Sequence, residues 1–146
     1  MSLVPGTAID RYDVVRLLGH GGMAEVYPVR HRTLGTSHAL KLLTLSGRSI
    51  RDRLIEEGRV QARLRHPNLV AVTDVLDVDG APGLLMEFVD GPSPDAWLST
   101  QRPDPSEAER LFRGILDGVG RAHRHGVVHR DLKPSNVLLA TDEDGP

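Results

Sequence analysis

Toward the end of the sequence His129, Arg130, Asp131, Leu132, Lys133, Pro134, Ser135 and Asn136 stand in one run between valine- and leucine-rich flanks. Aspartate, lysine and asparagine at these offsets combine three abilities. The carboxylate accepts a hydroxyl proton, the ammonium meets a transferring phosphoryl group, and the amide oxygen suits Mg²⁺. Far upstream lies Lys41, set among Ala39, Leu40 and Leu42, and Lys41 and Lys133 are the only lysines in the chain. A strand lysine can snorkel to solvent along its methylene stem, or it can be held inward by an anion. A downstream carboxylate would keep the amine in place and charged in a partly dry setting. Glu57 is the first candidate and its neighbour Glu56 the second, since only one of them can face inward.

A third constellation precedes Lys41. Leu18 leads into Gly19, His20, Gly21, Gly22, Met23, Ala24, Glu25 and Val26. Small residues in such a turn let backbone amides approach an anion that a Cβ would hold away, although a glycine-rich turn can also be only a turn. The turn leads into a strand rather than a helix, which disfavours a dinucleotide fold, and the Gly-Lys-Ser/Thr of a P-loop is absent.

The elements that must position these residues are set by periodicity. Arg11–Gly19 predicts a strand, with Val14, Val15, Leu17 and Leu18 apolar, and Glu25–Val29 a second strand in hairpin with it. Pro28 lacks a backbone donor, so the second strand is expected at an edge or locally irregular. His38–Leu43 is a third strand. Ser49, with Asp52 three residues on, predicts a helix start; the charged helix runs to Arg65 and stops at His66, Pro67 and Asn68. Gly58 within it costs about 1 kcal/mol relative to alanine. Leu69–Val78 and Gly83–Val89 are two further strands around an Asp79-Gly80 turn. The first half is thus a five-stranded antiparallel sheet with one inserted helix, in an α+β fold.

A Pro/Gly-rich link, 90–94, changes the character of the chain. A short helix is expected over 95–100, then a long one to His125, opened by a capping box at Ser106–Glu109. Leu111, Phe112, Ile115, Leu116, Val119 and Ala122 spread over a wide arc of the long helix, so it wants partners on more than one side. Two short strands bracket the 129–136 run. His123 and His125 are two apart at a helix end and point differently, which argues against a metal site shared with His129.

The bulk numbers set limits. The 146 residues suffice for one domain core. A net charge of -2 gives no reason to expect nucleic acid or an anionic membrane as partner. Without cysteine there are no disulfides or thiolate metal sites, and a cytoplasmic location is expected. No run approaches the roughly 20 apolar residues of a membrane helix.

Taken in order, these motifs resemble the bacterial branch of the eukaryotic-type serine/threonine protein kinases, over Arg11 to Ala140. The resemblance implies a kinase-like fold using ATP and Mg²⁺ on a protein substrate with a serine or threonine acceptor. It implies an N-terminal extension (1–10), a nucleotide-binding lobe (11–89), and a link with part of the helical lobe (90–146). Gly19 and Gly21 match the first two glycines of the phosphate loop, and Ala24 replaces the third. Lys41 would meet the α/β-phosphates. Counting back from His66, Pro67 and Asn68, Glu57 fits its helix partner better than Glu56.

By the same resemblance Met86 backs the adenine pocket, Glu87 to Val89 form the hinge that bonds the purine edge, and Val26, Ala39 and Leu138 are apolar plates around the base. Asp131 is the catalytic base, Lys133 the γ-phosphate contact, Asn136 a Mg²⁺ ligand. Lysine two residues after the aspartate matches the serine/threonine class. Gln61, one turn beyond Glu57, stands where the family's packing column is usually apolar. The sequence stops before any Asp-Phe-Gly, so the expectation is the front part of such a domain, inactive by itself. The alternative is a nucleotide-binding or protein-interaction module of pseudokinase type.

Overall fold

A computed structural model of the chain describes residues 3–16, 19–20, 24–43, 47–126 and 137–140. They divide into two compact units, 1–63 with 71–88, and 64–70 with 89–146.

The first unit is an antiparallel sheet. Its strands are β1 (Ala8–Ile9), β2 (Tyr12–Val14), β3 (Gly19–His20), β4 (Ala24–His31), β5 (Ser37–Leu43), β6 (Val72–Val78) and β7 (Ala81–Glu87), with helix α1 (Arg48–Arg63) inserted after β5. The order across the sheet is β1-β2-β4-β5-β7-β6, and β3 also pairs with β4. Among the described residues seven strands therefore replace the expected five. One of the additional pair, β1, comes from the segment expected to precede the domain: Ala8 pairs with Asp13 and Ile9 with Tyr12. The other arises because the expected Arg11–Gly19 strand is interrupted.

Pro28 accounts for that interruption. In an antiparallel ladder a residue's N–H and C=O point to the same neighbour. The Pro28 carbonyl accepts from Val15 N at 2.9 Å, so its missing N–H is missing on that same side. β2 pairs only up to Val14↔Val29, and β3 resumes at Gly19↔Val26. Pro28 thus lies inside a strand paired on both sides rather than at an edge, and the irregularity falls on its neighbour.

The two faces of the sheet carry separate cores. Ile9, Tyr12, Val14, Tyr27, Val29, Leu40, Leu76 and Leu85 form one, and Leu54 of α1 with Val72 and Leu84 the other. Val72 and Leu76 have the same parity in β6 yet serve opposite faces. A register shift between Val72 and Asp74 makes this possible, since one extra residue turns every later side chain over. The β6–β7 turn has Asp79 at φ 52° and Gly80 at φ 85°, the left-handed pair that a two-residue hairpin requires.

Helix α1 starts at Arg48, one residue before the expected cap Ser49, with Gly47 O accepting from Arg51 N at 3.0 Å. Gly58 is buried on its inner face, and a Cβ there would lie 2.7 Å from Cδ2 of Leu84, which has no exposure. What costs the helix in propensity lets it approach the sheet. Gly58→Ala is therefore expected to destabilise: overpacking costs about 1–3 kcal/mol and outweighs the roughly 1 kcal/mol of helix propensity gained. Urea unfolding followed by circular dichroism checks the sign, because propensity alone would move the midpoint upward.

The second unit contains α2 (Pro94–Leu98), capped by Ser93, and α3 (Pro105–Arg124). The α3 capping box is Asp104 with Glu107, not the Ser106–Glu109 pattern: Glu107 N donates to Asp104 Oδ1 at 2.8 Å and Asp104 N to Glu107 Oε2 at 3.3 Å. Pro105 decides this, being favoured at the first helical position and forcing the residue before it to be extended. Asn68 Nδ2 donates to Gly114 O at 2.9 Å, and a Cβ on Gly118 would meet Asn68 O at 2.9 Å. Phe112 and Leu116 remain 60% and 53% exposed, which leaves the wide apolar arc of α3 partly uncovered. Residues 137–140 form no strand; Leu139 is buried and donates from its backbone to Pro92 O at 2.8 Å. No described helix is long and apolar enough to cross a membrane.

Candidate functional site

The site begins with what the alternation of a strand dictates. In β5 the side chains of Leu40 and Leu42 enter the first core, which turns Ala39, Lys41 and Leu43 to the opposite face. Register then assembles the neighbours. Val26 lies directly across from Lys41, Met86 across from Ala39 and Leu84 across from Lys41. One sheet face thus presents Val26, Ala39, Leu84 and Met86, all apolar, around the Lys41 cation. Ala39 and Leu84 are buried and the other two are half-buried.

Helix α1 packs on that same face through Leu54, which touches Val72 and Leu84. It brings Glu57 up to Lys41, with Nζ 3.5 Å from Oε1. The alternative carboxylate is engaged elsewhere: Glu56 Oε2 lies 3.5 Å from Arg59 Nη1. Of the two candidates left open by the sequence, Glu57 is therefore the partner. Gln61 Nε2 donates to the same Glu57 Oε1 at 3.3 Å. Sequence reasoning gave Gln61 no role, although its i, i+4 spacing from Glu57 was the available signal.

The other site candidates are spread more widely. Gly19 and His20 form β3, opposite Val26 and Glu25 respectively. Glu25 is buried on the face away from Lys41, where its carboxylate accepts a hydrogen bond from the Tyr27 hydroxyl. That hydroxyl also accepts from Leu3 N at 2.9 Å. Ala24 opens β4. Glu87 closes β7 and is tied twice to Ala71, its N donating to Ala71 O at 2.9 Å and its Oε1 accepting from Ala71 N at 3.0 Å. Val89 and Leu138 belong to the second unit, Val89 half-buried and Leu138 47% exposed. Leu18, Gly21, Gly22, Met23, Asp131, Lys133 and Asn136 lie outside the described residues. His125 ends α3, its Nδ1 3.0 Å from Arg121 O.

Serine/threonine-protein kinase PknH of Mycobacterium tuberculosis is 36% identical over 142 residues, covering 94% of this chain and 23% of its own. Among solved structures, the PknI kinase domain of Mycobacterium tuberculosis superposes with a TM-score of 0.78 at 31% identity, covering 97% of this chain and 60% of that one. A structure of Rad53 in complex with AMP-PNP superposes at 0.79 with 26% identity, covering 92% of this chain and 36% of that one. The chain therefore spans about a quarter of the length of PknH and three fifths of the solved PknI domain. The family model described as protein kinase domain matches residues 12–145. With a match running over nearly its whole length, this chain belongs to the protein kinase family.

Proposed function

We propose that this chain carries the nucleotide-binding and catalytic-loop portion of a protein serine/threonine kinase. The observation that carries the reading is the Lys41–Glu57 pair on the sheet face shared with Val26, Ala39 and Met86. Apolar side chains beside a single fixed cation suit a purine joined to a polyphosphate. The nucleotide-bound Rad53 relative is in keeping with that reading.

MgATP, when bound, would supply an activated γ-phosphoryl group and a divalent cation to offset its negative charge. Lys41, steadied by Glu57, holds the α/β-phosphates. The glycine-rich turn at 19–24 offers backbone amides, and the Glu87 to Val89 segment bonds the purine edge. Val26, Ala39 and Leu138 enclose the base, with Met86 behind it. Asn136 would hold Mg²⁺, its amide oxygen being a suitable hard donor. Asp131 accepts the proton of a serine or threonine hydroxyl as that oxygen bonds to the γ-phosphorus, the bond to the β–γ bridging oxygen breaks, and ADP leaves. Lys133 balances charge on the moving phosphoryl group.

Titration calorimetry with MgATP tests the nucleotide site. Lys41→Met is expected to weaken binding roughly 10- to 100-fold, the equivalent of losing one or two charge-assisted contacts. Equal heats in both proteins, or none in either, would sink the reading.

A further inference from the structure

We infer that Gln61 is a positioning residue, whose side-chain amide fixes the Glu57 carboxylate in the orientation that receives Lys41. Two donors converge on one atom. Glu57 Oε1 lies 3.5 Å from Lys41 Nζ and 3.3 Å from Gln61 Nε2. The direction of the second bond is settled by chemistry, because an ionised carboxylate only accepts and the amide must present its NH₂. Glu57 is 46% exposed in its side chain, so packing alone leaves it free to turn toward solvent. Residues four apart on a helix lie one above the other, and Gln61, half-buried, stands one turn beyond Glu57. A donor at that place narrows the rotamers of Glu57 without competing for the charge of Lys41. An apolar residue there could pack against the sheet but could not hold the oxygen.

The contact stands on the geometry; its consequence for nucleotide binding rests on the proposed nucleotide site. The two are separable because the chain has only two lysines, Lys41 and Lys133. An ion-paired ammonium must leave its partner before it can lose a proton and be acylated. The experiment is brief acetylation by the N-hydroxysuccinimide ester of acetic acid, with the extent at each lysine read by peptide mass spectrometry. Gln61→Met keeps the length of the side chain and Gln61→Leu its bulk, and both remove the donor.

Both variants are expected to raise Lys41 acetylation several-fold relative to Lys133. Glu57→Gln should raise it at least as far, and adding Gln61→Met to Glu57→Gln should change nothing more. An unchanged Lys41-to-Lys133 ratio in the two Gln61 variants, or additive effects in the double variant, would overturn the inference. Protection of Lys41 by MgATP in the unaltered chain is scored separately: its absence counts against the nucleotide reading while the Gln61 result still decides the positioning role.

Discussion

Replacing Asp131 with asparagine is expected to lower phosphotransfer to a serine- or threonine-containing protein by about 10²–10⁴-fold, the range of a positioned general base, with MgATP affinity nearly unchanged. Asparagine keeps the size of the side chain but cannot take up the hydroxyl proton as the new oxygen–phosphorus bond forms. In the proposed site the nucleotide is held by other groups, among them Lys41, Ala39 and Met86, which share one sheet face, so its affinity would report on a different part of the molecule. The assay is transfer of labelled phosphate by a kinase domain of full family length carrying this sequence, paired with calorimetry on the same protein. Phosphotyrosine as the main product, or undiminished turnover in the variant, would contradict the assignment.

Leu84→Ala is expected to have the largest effect on stability of any single truncation around the site, about 2–5 kcal/mol. Leu84 has no exposure, lies across from Lys41 in the sheet, and packs with Leu54 and Val72 beneath α1. A domain's whole net stability is of the order of 5–15 kcal/mol, so a loss of this size removes a large part of it. Gly58 offers an internal check, because its Cβ position lies against the Leu84 methyl at 2.7 Å. Adding Gly58→Ala should recover part of the loss by filling the space vacated, so the double variant should be less destabilised than the two single effects summed. Leu116→Ala, at a position 53% exposed, should shift stability by no more than about 0.5 kcal/mol. Urea unfolding of the four proteins decides; an additive double variant would mean that helix and sheet do not meet as described.

The sequence alone was enough for the family, the α+β class, the hairpin at Asp79 and Gly80, and the choice of Lys41 as the strand cation. The family rests on the resemblance of the ordered motifs, and the rest on local chemistry: turn residues, period-two alternation, or a charge among apolar neighbours. Element ends were less legible. Asp104 displaced Ser106 as the α3 cap because Pro105 fixes the start of the helix, a local signal that a scan for serine and glutamate passes over.

The strand count and the roles of particular side chains were decided only by tertiary structure. The consequence of Pro28 appears on the strand beside it, through the absence of a donor that β2 and β3 would have used. Gly58 looked like a weakness in α1 and is a point of close approach, which depends on where Leu84 lies across the sheet. Glu56 and Glu57 are the same residue type one position apart. Rotation of α1 on the sheet turns Glu57 to Lys41 and leaves Glu56 to Arg59 of its own helix, while the Gln61–Glu57 contact, also within α1, comes to bear on the carboxylate that faces Lys41. A one-dimensional pattern carries periodicity and composition, whereas contacts between residues far apart in the chain depend on how a helix is rotated and seated. That seating is set by packing summed over the whole face.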